Sequence, residues 1–164
     1  MDGPVQRELR QLRADAERHD GDVVAEAIRG AADDGVPPAA AARWLDRALM
    51  PVDDALGALL HAFVLACRPR LVVELGTSGD ASALYIAAAV RQQGFGRLIT
   101  TEIVPEKAQR ASAILARAGL NDLIELRVGD ARRTLGALDD PAGLVFLDGW
   151  QDAYADVSAC SSPT

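Results

Sequence analysis

The sequence predicts an α/β fold in which a parallel sheet is covered by helices. Three observations point there. From residue 71 onward, short apolar runs alternate with helical stretches. Each run ends at or beside a glycine or an acid, as strands feeding a ligand crevice do. Apolar residues make up 49% of the 164, against 25% charged, which suits one core in one domain. With aromatics at only 4%, that core rests on Ala, Leu and Val.

Taken in order, residues 5–19 and 22–29 read as two polar helices punctuated by Gly21 and Gly30. Residues 31–37 (AADDGVP) read as a loop, and 38–49 as a helix with proline in its first turn, where a missing N–H costs nothing. A short turn, 50–54 (MPVDD), leads to a helix over 54–67 that Asp53 or Asp54 can cap. LVVEL (71–75) is the first buried-strand candidate, followed by a helix over 82–92. RLITTEI (97–103), LIELRVG (123–129) and GLVFLD (143–148) are the next strands, with helices over 105–119 and 131–138 between them. The expected organisation is one domain over 1–154, with a helical region (1–67) packed on a βα core (71–154), and an irregular tail over 155–164.

A formal charge of −7 disfavours a phosphate backbone as partner, and the arginines of RELRQLRADAERHD (7–20) alternate with acids as on a solvated helix face. No nucleic acid is expected. The apolar run ALGALLHAFVLAC (55–67) is interrupted by His61 and too short to span a bilayer, so no membrane is expected either. Cys67 and Cys160 lack metal-ligand spacing and read as free thiols of a reducing compartment, the cytoplasm.

The chemistry-bearing residues gather at strand ends. After the first strand, Glu74-Leu75-Gly76-Thr77-Ser78-Gly79-Asp80 offers a glycine where a ligand can approach the backbone and a helix N-terminus with free N–H groups. A bland tight turn is the alternative. Glu102 ends the next strand, 28 positions after Glu74. A carboxylate there can accept both hydroxyl hydrogens of a ribose. A nicotinamide-binding domain would share that acid, but it normally carries a fuller GxGxxG run and no acid at the position of Glu74. Asp130 either caps the helix after the third strand or meets an adenine amino group. Asp148, beside Trp150, ends the fourth strand and is a hard oxygen ligand suited to Mg²⁺.

VVELGTSGDAS, TTEIVPEKAQRA, AGLNDLIELRVGDA and VFLDGWQDAY resemble, in order and spacing, the motifs of the catechol O-methyltransferase-like family. MPVDDALG (50–57) is similar to that family's cofactor-covering segment. The resemblance implies a Rossmann-like class I methyltransferase with helices on both faces, strand order 3-2-1-4, and S-adenosylmethionine (SAM) as cofactor. It places Val52 against the methionine moiety, Glu74 and Gly76 in the turn beneath it, and Ser78 and Ser82 near its amino-acid end. Glu102 would bind the ribose and Ile103 pack on adenine, with Asp130, Ala131 and Arg132 along the adenine edge. Asp148 would be a ligand to Mg²⁺ and Trp150 a wall of the acceptor site.

Three features depart from the pattern. Asp80 stands where the family has glycine, and its charge is expected to crowd the cofactor's carboxylate. Gln151 stands at the family's catalytic lysine, and an amide takes no proton near neutral pH. The sequence also ends before the family's later strands, so weak turnover and self-association through the edge strand 143–148 are expected. The implied function is O-methyl transfer from SAM to a small, catechol-like acceptor, with a non-enzymatic SAM-binding module or a nicotinamide-dependent oxidoreductase as alternatives.

Overall fold

The computed structural model describes residues 1, 3–33, 48–136, 138–149 and 154–155. Its first element, α1 (Gly3–Asp33), is one continuous helix where the sequence suggests two. Gly21 is passed through because a glycine in a helix interior costs only about 1 kcal/mol. Against that stands a stripe of buried residues at helical spacing, Val5, Leu9, Leu12, Val23 and Ala27. Each large aliphatic side chain so buried contributes about 1.5–3 kcal/mol. Of the helix expected over 38–49, residues 38–47 lie outside the described set, and Ala48 and Leu49 are not helical.

Helix α2 (Asp54–Cys67) opens on Asp53, whose carboxylate accepts the Leu56 N–H at 2.7 Å. Strand β1 (Leu71–Leu75) leads into α3 (Ala81–Gln93), and β2 (Arg97–Glu102) into α4 (Pro105–Arg117). Strand β3 (Ile124–Val128) precedes the short α5 (Ala131–Thr134) and β4 (Leu144–Leu147). Helix α5 stops four residues before the expected end at 138. Its Thr134 carbonyl is taken by the Arg127 guanidinium at 2.6 Å, and Gly136 follows.

The four strands are parallel in the order β3-β2-β1-β4, as the resemblance implies. A four-stranded parallel sheet needs cover on both faces. Val72 and Leu98 face a cluster built from α1, α2, α3 and α4. Leu71, Val73, Leu75 and Ile99 face the other way, onto Ala131, Leu135 and Tyr154. The cover is unequal: among the described residues the long helices share one face. Within the described sheet β4 forms one edge and β3 the other.

Helix α3 is the centre of the packing, buried from Ala81 through Val90. Its alanines let α2 approach closely, and Gly57 admits the Tyr85 ring, since a Cβ there would lie 2.2 Å from a ring carbon. The Tyr85 hydroxyl donates to Asp54 at 2.5 Å and accepts from Arg13 at 3.0 Å. An Arg13–Asp54 ion pair completes a tie between α1, α2 and α3. Among the described residues no helix is long and apolar enough to cross a membrane.

Candidate functional site

The carboxyl ends of β1, β2, β3 and β4 open on one side of the sheet, and the residues singled out in the sequence converge there. The turn between β1 and α3 is tied to β2. Thr77 donates its N–H to the Thr101 carbonyl at 2.9 Å, and its hydroxyl lies 2.7 Å from that of Thr100. The register pairs Glu74 with Thr100 and Leu75 with Thr101, so this threonine pair meets the turn directly.

Glu102 braces two turns. One carboxylate oxygen accepts the Ser78 N–H at 3.1 Å, from the turn after β1. The other accepts the Val104 N–H at 2.9 Å, from the turn after β2. A carboxylate has about four acceptor sites, so two remain for a diol after both N–H groups are held. Next to it Ile103 is 61% exposed, an apolar surface open to a planar ring.

Gly76 has φ +88°, and a Cβ on it would lie 3.1 Å from Gly149 Cα and 3.2 Å from the Asp148 carbonyl oxygen. The bare backbone therefore brings the end of β1 against the end of β4. Gly79 is more constrained still: a Cβ would sit 2.2 Å from the Leu49 carbonyl oxygen and 2.8 Å from Pro51 Cα. The segment before α2 thus lies directly on the turn, while Val52 is half-buried against the main core.

Glu74 turns inward. It is fully buried and accepts the Thr100 hydroxyl at 2.6 Å. Burial pushes its carboxyl up to about 8, against the pull of the Ser82 and Thr100 hydroxyls. It is therefore protonated at neutral pH, a neutral hydrogen-bonding group beneath the turn. Ser82 is buried beside it.

Asp80 is also fully buried, with φ +65°, and its side chain makes no capping bond to α3. Its nearest counter-charge is Arg110, with Nε 3.7 Å away. Arg110 in turn donates to the Ser78 carbonyl at 3.2 Å. Burial raises the Asp80 carboxyl to about 7, only partly opposed by Arg110. The backbone conformation at Asp80 is one that favours glycine.

Asp130 caps α5, accepting the Arg132 N–H at 3.0 Å, and the Arg132 side chain folds onto the same carboxylate. That pairing with Arg132 holds the Asp130 carboxyl below its ordinary range. Ala131 is buried beneath it. Asp148, at the end of β4, has its carboxyl raised by burial. Among the described residues no group of three His, Cys, Asp or Glu side chains could hold a metal ion. Trp150 and Gln151 lie outside the described residues.

Residues 73–161 match a family model described as a methyltransferase domain, more than half of the chain. The chain belongs to this methyltransferase-domain family. Within the family it is 34% identical over 110 residues to catechol O-methyltransferase from Mus musculus, covering 64% of this chain and 41% of that protein. It is 39% identical over 93 residues to catechol O-methyltransferase from Mycobacterium tuberculosis, covering 56% of this chain and 41% of that one. Among solved structures, the O-methyltransferase TomG from Streptomyces achromogenes, in complex with SAM, superposes with a TM-score of 0.61 at 27% identity. The match covers 86% of this chain and 61% of TomG. The chain thus spans about two-fifths of the length of these catechol methyltransferases. The methyltransferase domain described here has the family's Rossmann-like sheet.

Two features of the site carry no clear mark in the sequence: the Thr77–Thr100–Thr101 network and Arg110. The adjacent threonines at 100 and 101 are the available signal: they are polar residues at the end of a strand whose consecutive side chains lie on opposite faces.

Proposed function

We propose that this chain binds SAM at the carboxyl end of its sheet and serves O-methyl transfer to a small acceptor carrying hydroxyl groups. The observation that carries the reading is the Glu102 carboxylate. It is fixed by two backbone N–H groups at 3.1 and 2.9 Å, beside the exposed Ile103 and the bare backbone of Gly76. That arrangement suits an adenosine: a diol acceptor, an apolar face for the ring, and a turn without a Cβ where the chain would otherwise collide with the neighbouring strand. The catechol O-methyltransferases among its relatives and the SAM complex of TomG support the same assignment.

Bound SAM would supply an electrophilic methyl group on a sulfonium centre. The chain's own residues hold and orient: Glu102 takes the ribose hydroxyls, Ile103 flanks the adenine, and Asp130 and Arg132 border its edge. Gly76 and Ser78 form the turn under the amino-acid end, and Glu74, neutral, supports that turn from below. Val52 and its segment cover it. Rate gain in such a site comes from placing the reacting atoms and excluding water. Trp150 would wall the acceptor side, and Asp148 would meet a metal or acceptor oxygen. A second reading, SAM binding without transfer, draws on Gln151 at the position of the family's base.

Calorimetry with S-adenosylhomocysteine tests the assignment. Glu102→Ala should weaken binding by about 1.5–3 kcal/mol, the range for losing hydrogen bonds to a charged group. Glu102→Gln, which keeps one acceptor oxygen, should lose less. Unchanged affinity in both variants would remove the ribose role.

A further inference from the structure

We propose that Asp20, on α1, is a positioning residue for the cofactor: it fixes the 48–52 segment over the turn between β1 and α3. The inference rests on the SAM reading above. Asp20 falls on the same helical stripe as the buried Val5, Leu9, Leu12, Val23 and Ala27, so it points toward the body of the protein and not out along the polar face. A carboxylate in that direction needs partners. It has two: one oxygen accepts the Leu49 N–H and the other the Met50 N–H, each at 2.8 Å.

Successive backbone N–H groups can converge on one anion where the chain forms a concave nest that includes a left-handed residue. Met50 supplies it, with φ +41°. An unbranched but bulky residue adopts that region rarely, and its side chain is 53% exposed. Among the described residues, the Asp20 carboxylate is what accepts the N–H groups of this turn. What the clamp fixes is the next layer. The Leu49 carbonyl oxygen and Pro51 sit so close to Gly79 that no Cβ fits between them. The chain of contact therefore runs from α1, through Asp20, through the nest at 49–50, to the turn that ends at Asp80. Helix α1 is itself anchored in the main core by Val5, Leu9 and Leu12.

The test compares the wild-type chain with Asp20→Ala and Asp20→Asn by site-resolved amide hydrogen exchange and by S-adenosylhomocysteine calorimetry. In Asp20→Ala the Leu49 and Met50 amides should exchange at least about tenfold faster while β1 and β2 keep their protection. Affinity should fall by about tenfold, the scale of losing charge-assisted hydrogen bonds. Asp20→Asn, with one acceptor oxygen left, should fall between the two. Local deprotection with wild-type affinity would overturn the positioning role. Equal loss of protection throughout the sheet would also overturn it, because Asp20 would then act on global stability alone. If even the wild-type chain fails to bind S-adenosylhomocysteine, the SAM reading fails and takes the cofactor role of Asp20 with it. The exchange data would then stand as a test of the clamp by itself.

Discussion

Replacing Asp80 by glycine changes two things that the structure lets us separate. The backbone contribution is small. A left-handed residue other than glycine costs about 1–2 kcal/mol, and the greater freedom of glycine in the unfolded chain takes back about 0.4–1 kcal/mol. The charge contribution is larger. Burial raises the Asp80 carboxyl from 3.8 to about 7. A carboxyl whose folded value is raised costs stability as pH climbs from its unfolded value to its folded one. The penalty is therefore nearly absent at pH 4, grows through pH 7 and is constant above. At about 1.36 kcal/mol per unit, the full penalty is about 4 kcal/mol, of which about 2–3 kcal/mol accrues between pH 5 and pH 8. Asp80→Gly should accordingly be more stable than the wild type at pH 8, with a gain about 2–3 kcal/mol larger than at pH 5. Urea unfolding of both proteins at the two pH values measures it. The same variant should bind S-adenosylhomocysteine more tightly at pH 8, with one negative charge fewer at the turn. A gain independent of pH, or a loss at pH 8, would refute the claim that a buried charge, and not backbone strain, is the dominant cost at this turn.

The Glu74 carboxyl, raised to about 8, loses stability for the fold as pH rises from 4.5 through 8. Glu74→Gln should therefore gain on the wild type by about 2–3 kcal/mol between pH 6 and pH 9 in the same unfolding assay, and a pH-independent difference would count against a protonated Glu74. Gly79→Ala forces a Cβ onto the Leu49 carbonyl oxygen, and overpacking of this kind costs about 1–3 kcal/mol. It should lower cofactor affinity while leaving β1–β2 amide protection intact, and wild-type affinity would show that the 48–52 segment does not seat there. The 164-residue chain, with β4 at an edge of the described sheet, should self-associate with rising concentration in light scattering. A constant monomer mass would show that the edge is protected.

The core of the fold is legible in the sequence because its signals are local and repeated. Four apolar runs with helical stretches between them leave little choice but parallel strands, and the strand bounds agree to within one residue at each end. The resemblance supplies the order in which the strands pair, which alternation alone does not contain. Helix α1 reads as two helices because Gly21 looks like punctuation in isolation. Only the buried stripe from Val5 to Ala27, whose partners lie on other elements, shows why the helix continues. The site is legible at the glycine and acid that every parallel strand end of this type exposes. Glu74 and Ser82 illustrate what is not: the sequence shows two polar residues, but not that both are buried, with Glu74 accepting the Thr100 hydroxyl from the neighbouring strand. Asp20 is hidden for a related reason. Its partners are backbone N–H groups about thirty positions away, which leave no mark in side-chain pattern.

Nuclear magnetic resonance titration of the isotope-labelled chain with S-adenosylhomocysteine, with NAD as the comparison ligand, tests the central claim most directly. Saturable shifts should concentrate at the amides of Gly76, Ser78, Ile103 and Asp130, where the carboxyl ends of β1, β2 and β3 meet, and NAD should leave them unmoved. Absence of binding, or shifts that fall on the outer face of α2 while those four amides stay fixed, would contradict the account.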